Sequence, residues 1–188
     1  MTTHRATQNG FTLIETMIVV ALSVSMMTAL GYLIYNFNAM SVYEQLSAQS
    51  SGSASAVMKE IGTLALPADA VLQSHAFAGG TYSSATSSLV LEIPSIDSSG
   101  NVIANTYDYA AFSTTSTRVY RLLEANALSA RTSGTKLLSS TASSLTFIYN
   151  NTDFTKVSST TVEVWTRATV KQSVLVDHRR EQIRLRNF

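Results

Sequence analysis

The stretch GFTLIETMIVVALSVSMMTALGYLIY, residues 10–35, decides how this chain is built. It places one carboxylate, Glu15, at the head of an apolar segment, and no Asp, Glu, Lys or Arg follows before Glu44. A bilayer core of about 30 Å needs roughly 20 helical residues, so residues 11–35 are long enough to cross one. A secretory signal has a shorter apolar part followed by small residues of A-x-A type, which do not follow Tyr35. We therefore predict that the segment stays in the mature protein.

The charges around the segment predict its orientation. His4 and Arg5 precede it, and the chain after it carries Glu44 but no Lys or Arg before Lys59. Positive charges flanking a span tend to stay on the cytoplasmic side. We therefore expect a single-pass membrane protein with a cytoplasmic N-terminus and with residues 37 onward outside the cytoplasm.

Glu15 has two interpretations. An acidic side chain near a helix N-terminus is favoured by the helix dipole, which requires no function. An ionisable group inside a span is costly and usually functional, and this one arrives with Gly10, Phe11 and Leu13 in a fixed order. That order, behind a short basic leader, resembles the class III leader of type IV pilins and pseudopilins. We therefore favour the functional interpretation.

The resemblance implies roles for three residues. Gly10 is the last leader residue, accepted by a membrane prepilin peptidase, and Phe11 becomes an N-methylated N-terminus. Glu15 neutralises the terminal amine of a neighbouring subunit, which sets the subunit register in an apolar filament core. The implied partners are the peptidase, other major and minor subunits, an inner-membrane assembly platform and, before assembly, membrane lipid.

Two features resemble minor rather than major subunits of this class. Many major pilins carry a helix-breaking proline in the apolar half of the N-terminal helix, where this chain reads LGYL at residues 30–33. The strings SLTFIY at 144–149, VEV at 162–164 and IRLRN at 183–187 are similar to J-type minor pseudopilins. Those proteins cap or initiate a filament with sister subunits. The resemblance implies a minor pilin or pseudopilin, placed at the tip of a pilus or secretion pseudopilus.

A helical stripe continues beyond the apolar segment. Apolar or small residues recur every three or four positions: Ala39, Val42, Tyr43, Leu46, Ser50, Ala54, Val57, Ile61 and Leu64. Pro67 ends the helix, because the residue before a proline avoids helical angles. After a leader of residues 1–10, we predict a transmembrane and assembly helix over residues 11–36 that continues as an amphipathic helix over residues 37–66.

Residues 67–188 are predicted to form an extracytoplasmic β-rich domain. Apolar alternation predicts strands at residues 88–93, 107–112, 118–123, 144–150, 161–171 and 173–186, the last either whole or broken near 177–181. Runs of Ser and Thr at 82–88, 113–117, 139–144 and 158–161 predict loops. One long helix followed by an antiparallel sheet is an α+β arrangement, here similar to the pilin fold, with residues 42–64 covering one face of the sheet.

The composition fits an extracytoplasmic structural part. A net charge of +1 gives no general reason to expect nucleic acid as a partner. The chain has no cysteine, which excludes disulfides and thiol chemistry. Its three histidines, His4, His75 and His178, lie in no catalytic or nucleotide-binding motif that we recognise. We expect neither enzymatic activity nor a cofactor.

Two short polar motifs are compatible with either a binding or modification role or a purely structural one. The turn DSSGN at residues 97–101 offers oxygen ligands, and calcium stabilises some major pseudopilins. It lacks the dense acidic pattern of a dedicated calcium loop, so we predict a plain turn. The string NNT at residues 150–152 matches a glycosylation acceptor, a short and common pattern.

A C-terminal basic group is the remaining candidate for binding. It consists of Lys171, Arg179, Arg180, Arg184 and Arg186, with Asp177 and Glu181 interspersed. Clustered cations can neutralise phosphates, but no aromatic stacking set accompanies these arginines in the sequence. We favour polar decoration of an edge strand or a subunit contact. The alternative function is a DNA-capture (competence) or adhesive tip pilin, and a third hypothesis is an uncleaved single-pass protein with an outer β-domain.

Overall fold

The computed structural model describes residues 12–170 and 173–186, apart from the side chains of Val170 and Ser173. Its first element is a helix, α1, that runs without interruption from Leu13 to Ala65. The predicted helix over residues 11–66 is thus confirmed within these bounds, and it ends two residues before Pro67 as expected. The chain divides into two compact units, one up to Glu44 and one from Gln45 onward.

The first unit is the apolar part of α1. Every described side chain from residue 12 to residue 44 is exposed. By length and composition this helix could cross a membrane. Three of its hydroxyl groups form hydrogen bonds within the helix. Ser23, Ser25 and Thr28 each donate to the backbone carbonyl four residues earlier, at 2.8–2.9 Å. These polar groups therefore need no external partner in an apolar environment.

Among the described residues, the second unit contains ten strands and one short 3₁₀-helix, Phe154–Lys156, beside the end of α1. The strands are β1 Ala70–Val71, β2 Ser74–Phe77, β3 Gly80–Ser83, β4 Ser88–Ile96, β5 Val102–Thr115, β6 Arg118–Glu124, β7 Gly134–Ser139, β8 Ala142–Tyr149, β9 Ser159–Val170 and β10 Ser173–Arg184. They form a five-stranded sheet in the order β1-β4-β5-β6-β7, a three-stranded sheet β10-β9-β8 and a hairpin β2-β3. Every named strand pair is antiparallel, which confirms the α+β class.

The main core lies between α1 and the two larger sheets. The helix contributes buried residues at helical spacing, and the strands contribute alternate residues such as Leu89, Leu91, Phe112, Phe147 and Val162. The predicted stripe on α1 is buried only from Ser50 onward. At its other end Val42 and Tyr43 are 45% and 48% exposed, so the stripe that packs into the core is shorter than predicted.

The strand predictions hold for the apolar centres and fail at several edges. Pro94 lies inside β4, beside a register shift, whereas the predicted strand ended at residue 93. The predicted loops at 82–88, 113–117, 139–144 and 158–161 lie partly within strands, because ladder hydrogen bonds extend pairing into Ser and Thr residues. β10 is whole over residues 173–184, without the alternative break. Strands β1, β2, β3 and β7 were not predicted.

An ion cluster holds α1 to the five-stranded sheet. Glu60 lies on the helix and binds Arg121 of β6 at 2.6 Å and Lys136 of β7 at 2.9 Å. Burial by itself raises the pKa of the Glu60 carboxyl, but the two cations outweigh burial and hold the pKa below its usual value.

We expect Glu60→Ala to lower the free energy of unfolding by about 1–3 kcal/mol at pH 7, because Arg121 is then left half-buried without its carboxylate. Urea unfolding of the full chain in neutral detergent, followed by Trp165 fluorescence, measures the change. The matched control is Glu44→Ala, which removes an exposed carboxylate of the same helix. Equal effects of the two substitutions would contradict the role given to this cluster.

Candidate functional site

The start of α1 is organised by a reciprocal pair of side chains, Thr12 and Glu15. The backbone N–H and the hydroxyl of Thr12 both donate to Glu15 Oε2, each at 2.9 Å. In return the Glu15 N–H donates to Thr12 Oγ1 at 3.4 Å. This is the capping box, in which a Thr and a Glu three residues later satisfy helix N–H groups that have no partner within the helix.

The capping box leaves part of the carboxylate available. Both hydrogen bonds from Thr12 go to Oε2, and Oε1 accepts none from any described residue. The surroundings are apolar and open, with Leu13, Ile14 and Met17 exposed by 82%, 68% and 66%. A carboxylate oxygen on such a surface can accept from a cation or an amine that a partner brings.

The sequence pattern indicated a role for Glu15, but Thr12 was not predicted as its hydrogen-bonding partner. The pattern T-x-x-E is readable in residues 12–15 and is a signature of a helix start. The structure therefore adds a purely local role for Glu15 that any assembly role has to accommodate. The predicted cleavage residues, Gly10 and Phe11, lie outside the described residues, and their role stays a prediction.

The acidic turn at residues 97–101 is confirmed as a turn. Asp97 Oδ1 accepts the N–H groups of Ser99 and Asn101 at 2.8 and 2.9 Å, and Gly100 has a positive φ of 84°. These hydrogen bonds hold the pKa of the Asp97 carboxyl below its usual value, with the Asn101 N–H as the largest cause. Within the described residues no group of three or more His, Asp or Glu side chains could hold a metal ion.

The Asn150 side chain of the NNT motif is engaged within the domain. Its carbonyl oxygen accepts the N–H groups of Ser158 and Ser159, each at 3.1 Å, and its amide donates to Ser158 Oγ at 2.8 Å. These contacts close the segment that leads from β8 to β9. Asn150 therefore has a structural role, because its side chain holds the two ends of this segment together.

The C-terminal basic residues separate onto two faces of β10. Arg179 pairs with Asp177 at 3.5 Å and donates to Ser51 of α1, whereas Arg180 pairs with Glu163 of β9 at 3.2 Å. Arg184 is exposed on the same side as Arg180, and Lys171 lies outside the described residues. Within the described sheet β10 pairs with β9 alone, so the predicted edge-strand setting is confirmed.

Comparison with known proteins adds one finding to this geometry. Residues 5–31 match the prokaryotic N-terminal methylation motif. No curated protein sequence and no solved structure matches the chain. The matched residues include both members of the capping box and most of the exposed apolar helix.

Proposed function

Since the chain carries the N-terminal methylation motif of type IV pilin-like and pseudopilin precursors, we propose that it is a minor, non-enzymatic subunit of a pilus or secretion pseudopilus. The motif implies processing by a prepilin peptidase and assembly with other pilins. In our proposal the chain is cut between Gly10 and Phe11 and methylated on Phe11. It is then drawn from the membrane into a filament, at or near the tip, by an inner-membrane assembly platform.

The observation that carries this proposal is the combination of Glu15 with the exposed apolar part of α1 that follows it. An exposed surface of this size needs lipid or other apolar helices around it. Apolar contacts alone leave neighbouring helices free to slide along one another. The Glu15 carboxylate, with one oxygen that accepts no hydrogen bond from a described residue, is the only charged side chain in the sequence from residue 11 to residue 43. An amine on the next subunit that pairs with it fixes the register.

We expect the native protein to begin at Phe11 and to carry one additional methyl group. The measurement is mass spectrometry of the N-terminal peptide from chain isolated from its own cells. A Gly10→Val variant supplies the control, because a side chain at the last leader position obstructs the peptidase and keeps the leader attached. Detection of intact residues 1–10 on the native protein would defeat the proposal in favour of an uncleaved single-pass protein.

A second candidate function, a DNA-capture or adhesive tip pilin, uses the same scaffold. One observation favours it: the three-stranded sheet exposes arginines beside the chain's single tryptophan. This candidate adds a ligand to the subunit and leaves the processing and assembly steps unchanged.

A further inference from the structure

The outer face of the β10-β9-β8 sheet collects exposed cations and an aromatic pair. Register sorts the side chains, because residues directly opposite one another in a ladder lie on the same face. Val162, Val164 and Thr166 of β9 are buried toward the core, so their neighbours in sequence point outward. The outward residues include Trp165 and Arg167 on β9 and His178, Arg180 and Arg184 on β10. We call these five residues the basic face.

Cations outnumber acids on this surface. Arg167, Arg180 and Arg184 are exposed, and Glu163, bound to Arg180 at 3.2 Å, is the single carboxylate among the described outward residues of the sheet. The other charges of β10, Asp177, Arg179 and Glu181, belong to the opposite side of the strand. An excess of positive charge disfavours contact with a second copy of the same face and favours a polyanion.

The aromatic pair lies within the same surface. The rings of Trp165 and His178 stack at 3.9 Å between centroids with planes 16° apart, and Trp165 is 38% exposed. The residue opposite Trp165 on β8 is Ser144, whose side chain is too short to cover an indole ring. An aromatic ring open to solvent beside arginines is the arrangement on which unpaired bases stack, at about 1–3 kcal/mol per base.

The spacing of the β10 residues suits an extended chain. Outward residues of an antiparallel strand repeat about every 6.8 Å, so His178, Arg180, Gln182 and Arg184 form a straight row along the sheet edge. A single strand of nucleic acid can align successive phosphates with such a row, because no duplex fixes their spacing. A duplex keeps its bases paired and cannot place one against Trp165.

We propose that the basic face binds a single strand of nucleic acid, with phosphates on Arg180, Arg184 and Arg167 and a base stacked on Trp165. Because β10 is the edge strand of the described sheet, its outward row lies at the border of the sheet. Glu163 competes with the ligand for Arg180 and limits the affinity. This site is independent of the processing and assembly proposed above, since none of its residues belongs to α1.

The test uses the full chain in neutral detergent and a fluorescent oligothymidylate, with binding followed by anisotropy. Trp165 is the only tryptophan in the chain, so its fluorescence reports on this site directly. We expect binding that quenches Trp165 and a slope of log affinity against log salt of about −2, as three phosphate contacts to a single strand predict. Absence of binding, or binding without quenching, would overturn the proposal.

Variants separate the basic face from overall charge. The triple variant Arg167→Gln, Arg180→Gln and Arg184→Gln is expected to weaken binding at least about tenfold at physiological salt. The control variant Lys59→Gln, Arg118→Gln and Lys156→Gln removes the same charge from exposed residues elsewhere and should bind as wild type does. Glu163→Gln should tighten binding by releasing Arg180. Equal losses in both triple variants would refute the site.

Two ligands test the chemistry without any variant. A methylphosphonate oligothymidylate keeps the bases and removes the backbone charge, and we expect it not to bind. A polyuronate of equal charge should compete weakly and should leave Trp165 fluorescence unchanged. If the polyuronate displaces the labelled oligonucleotide as effectively as unlabelled oligonucleotide does at the same concentration of charge, the surface is a general polyanion site and the nucleic-acid assignment is wrong.

Discussion

Glu15→Gln is expected to abolish incorporation of this subunit into filaments while the chain still inserts in the membrane. Glutamine can occupy the same position of a capping box, so the hydrogen bonds from Thr12 are retained and the helix still starts there. The substitution removes only the negative charge. An incoming subunit then leaves the neighbouring amine unpaired in an apolar core, at a cost of about 3–5 kcal/mol. Immunoblots of sheared filaments and of membranes measure the two outcomes separately.

The matched control is Thr12→Val, which keeps the charge that Glu15→Gln removes and removes the capping hydroxyl that Glu15→Gln keeps. It keeps the charge of Glu15 and the shape of residue 12 but removes the hydroxyl that caps the helix. Loss of a capping side chain costs about 0.5–2 kcal/mol, so the first turn loosens while assembly continues. If Thr12→Val blocks assembly and Glu15→Gln does not, Glu15 serves only as a helix cap. Normal assembly of both variants would contradict the charge pair.

The helix was predictable because its signals are local. A run of apolar residues, a stripe at a spacing of three and four, and a proline after the end all act within a few turns of one another. The capping box at residues 12–15 is equally local and could have been read from the sequence. The end of the stripe could not be read in this way, since exposure of Val42 and Tyr43 depends on how far the sheets reach along the helix.

The sheet was predictable only where strands carry their own pattern. Strand β9 alternates the inward residues Val162, Val164 and Thr166 with Glu163, Trp165 and Arg167 outward, and this alternation is visible in the sequence. The hairpin of β2 and β3 has no such alternation. It is held by a second, smaller core in which Phe77 packs with Val90 of β4 and Ala111 of β5. Its stability comes from the partner strands, which the sequence does not disclose locally.

The C-terminal arginines show what register adds to composition. The sequence presents Arg179 and Arg180 as neighbours in one basic group. Because side chains alternate along a strand, the two point to opposite faces, and a slip of one residue would exchange them. Only pairing of His178 with Trp165 in the ladder places the aromatic ring on the side of Arg180. Trp165 of β9 therefore provides the aromatic ring beside the arginines of β10, which was not evident from the sequence of the basic group alone.

Asp108→Asn is expected to cause the largest loss of domain stability of any single polar substitution proposed for this chain. Asp108 lies on β5, is fully buried, and was not singled out by the sequence. Its carboxylate accepts four hydrogen bonds at 2.6–2.8 Å, from Ser95 Oγ, Asn126 N–H, Ser129 Oγ and Arg131 Nη1. Three of these donors belong to the loop between β6 and β7, so one side chain fixes the loop to the sheet.

Asparagine replaces one carboxylate oxygen with an amide group that cannot accept from Arg131. The guanidinium, which is 15% exposed, is then left with the Pro94 carbonyl as its partner among the described residues. Breaking a buried ion pair from one side costs about 3–5 kcal/mol. Urea unfolding of the full chain in neutral detergent, followed by Trp165 fluorescence, gives the difference at pH 7. Asp97→Asn, in an exposed turn, is the control and should change the unfolding free energy much less.

The pH dependence of this difference separates the ion pair from a defect in packing. Burial by itself raises the pKa of the Asp108 carboxyl, but its hydrogen bonds, led by the Asn126 N–H, outweigh burial and hold the pKa below its usual value. A carboxyl with a lowered folded-state pKa stabilises the fold above the unfolded-state value of about 3.9, and that stabilisation is lost as the pH falls through the folded-state pKa. The gap between wild type and Asp108→Asn should therefore narrow in acid. A gap that stays constant from neutral pH into acid would mean that asparagine disturbs the packing of β5 and that the charge of Asp108 contributes little.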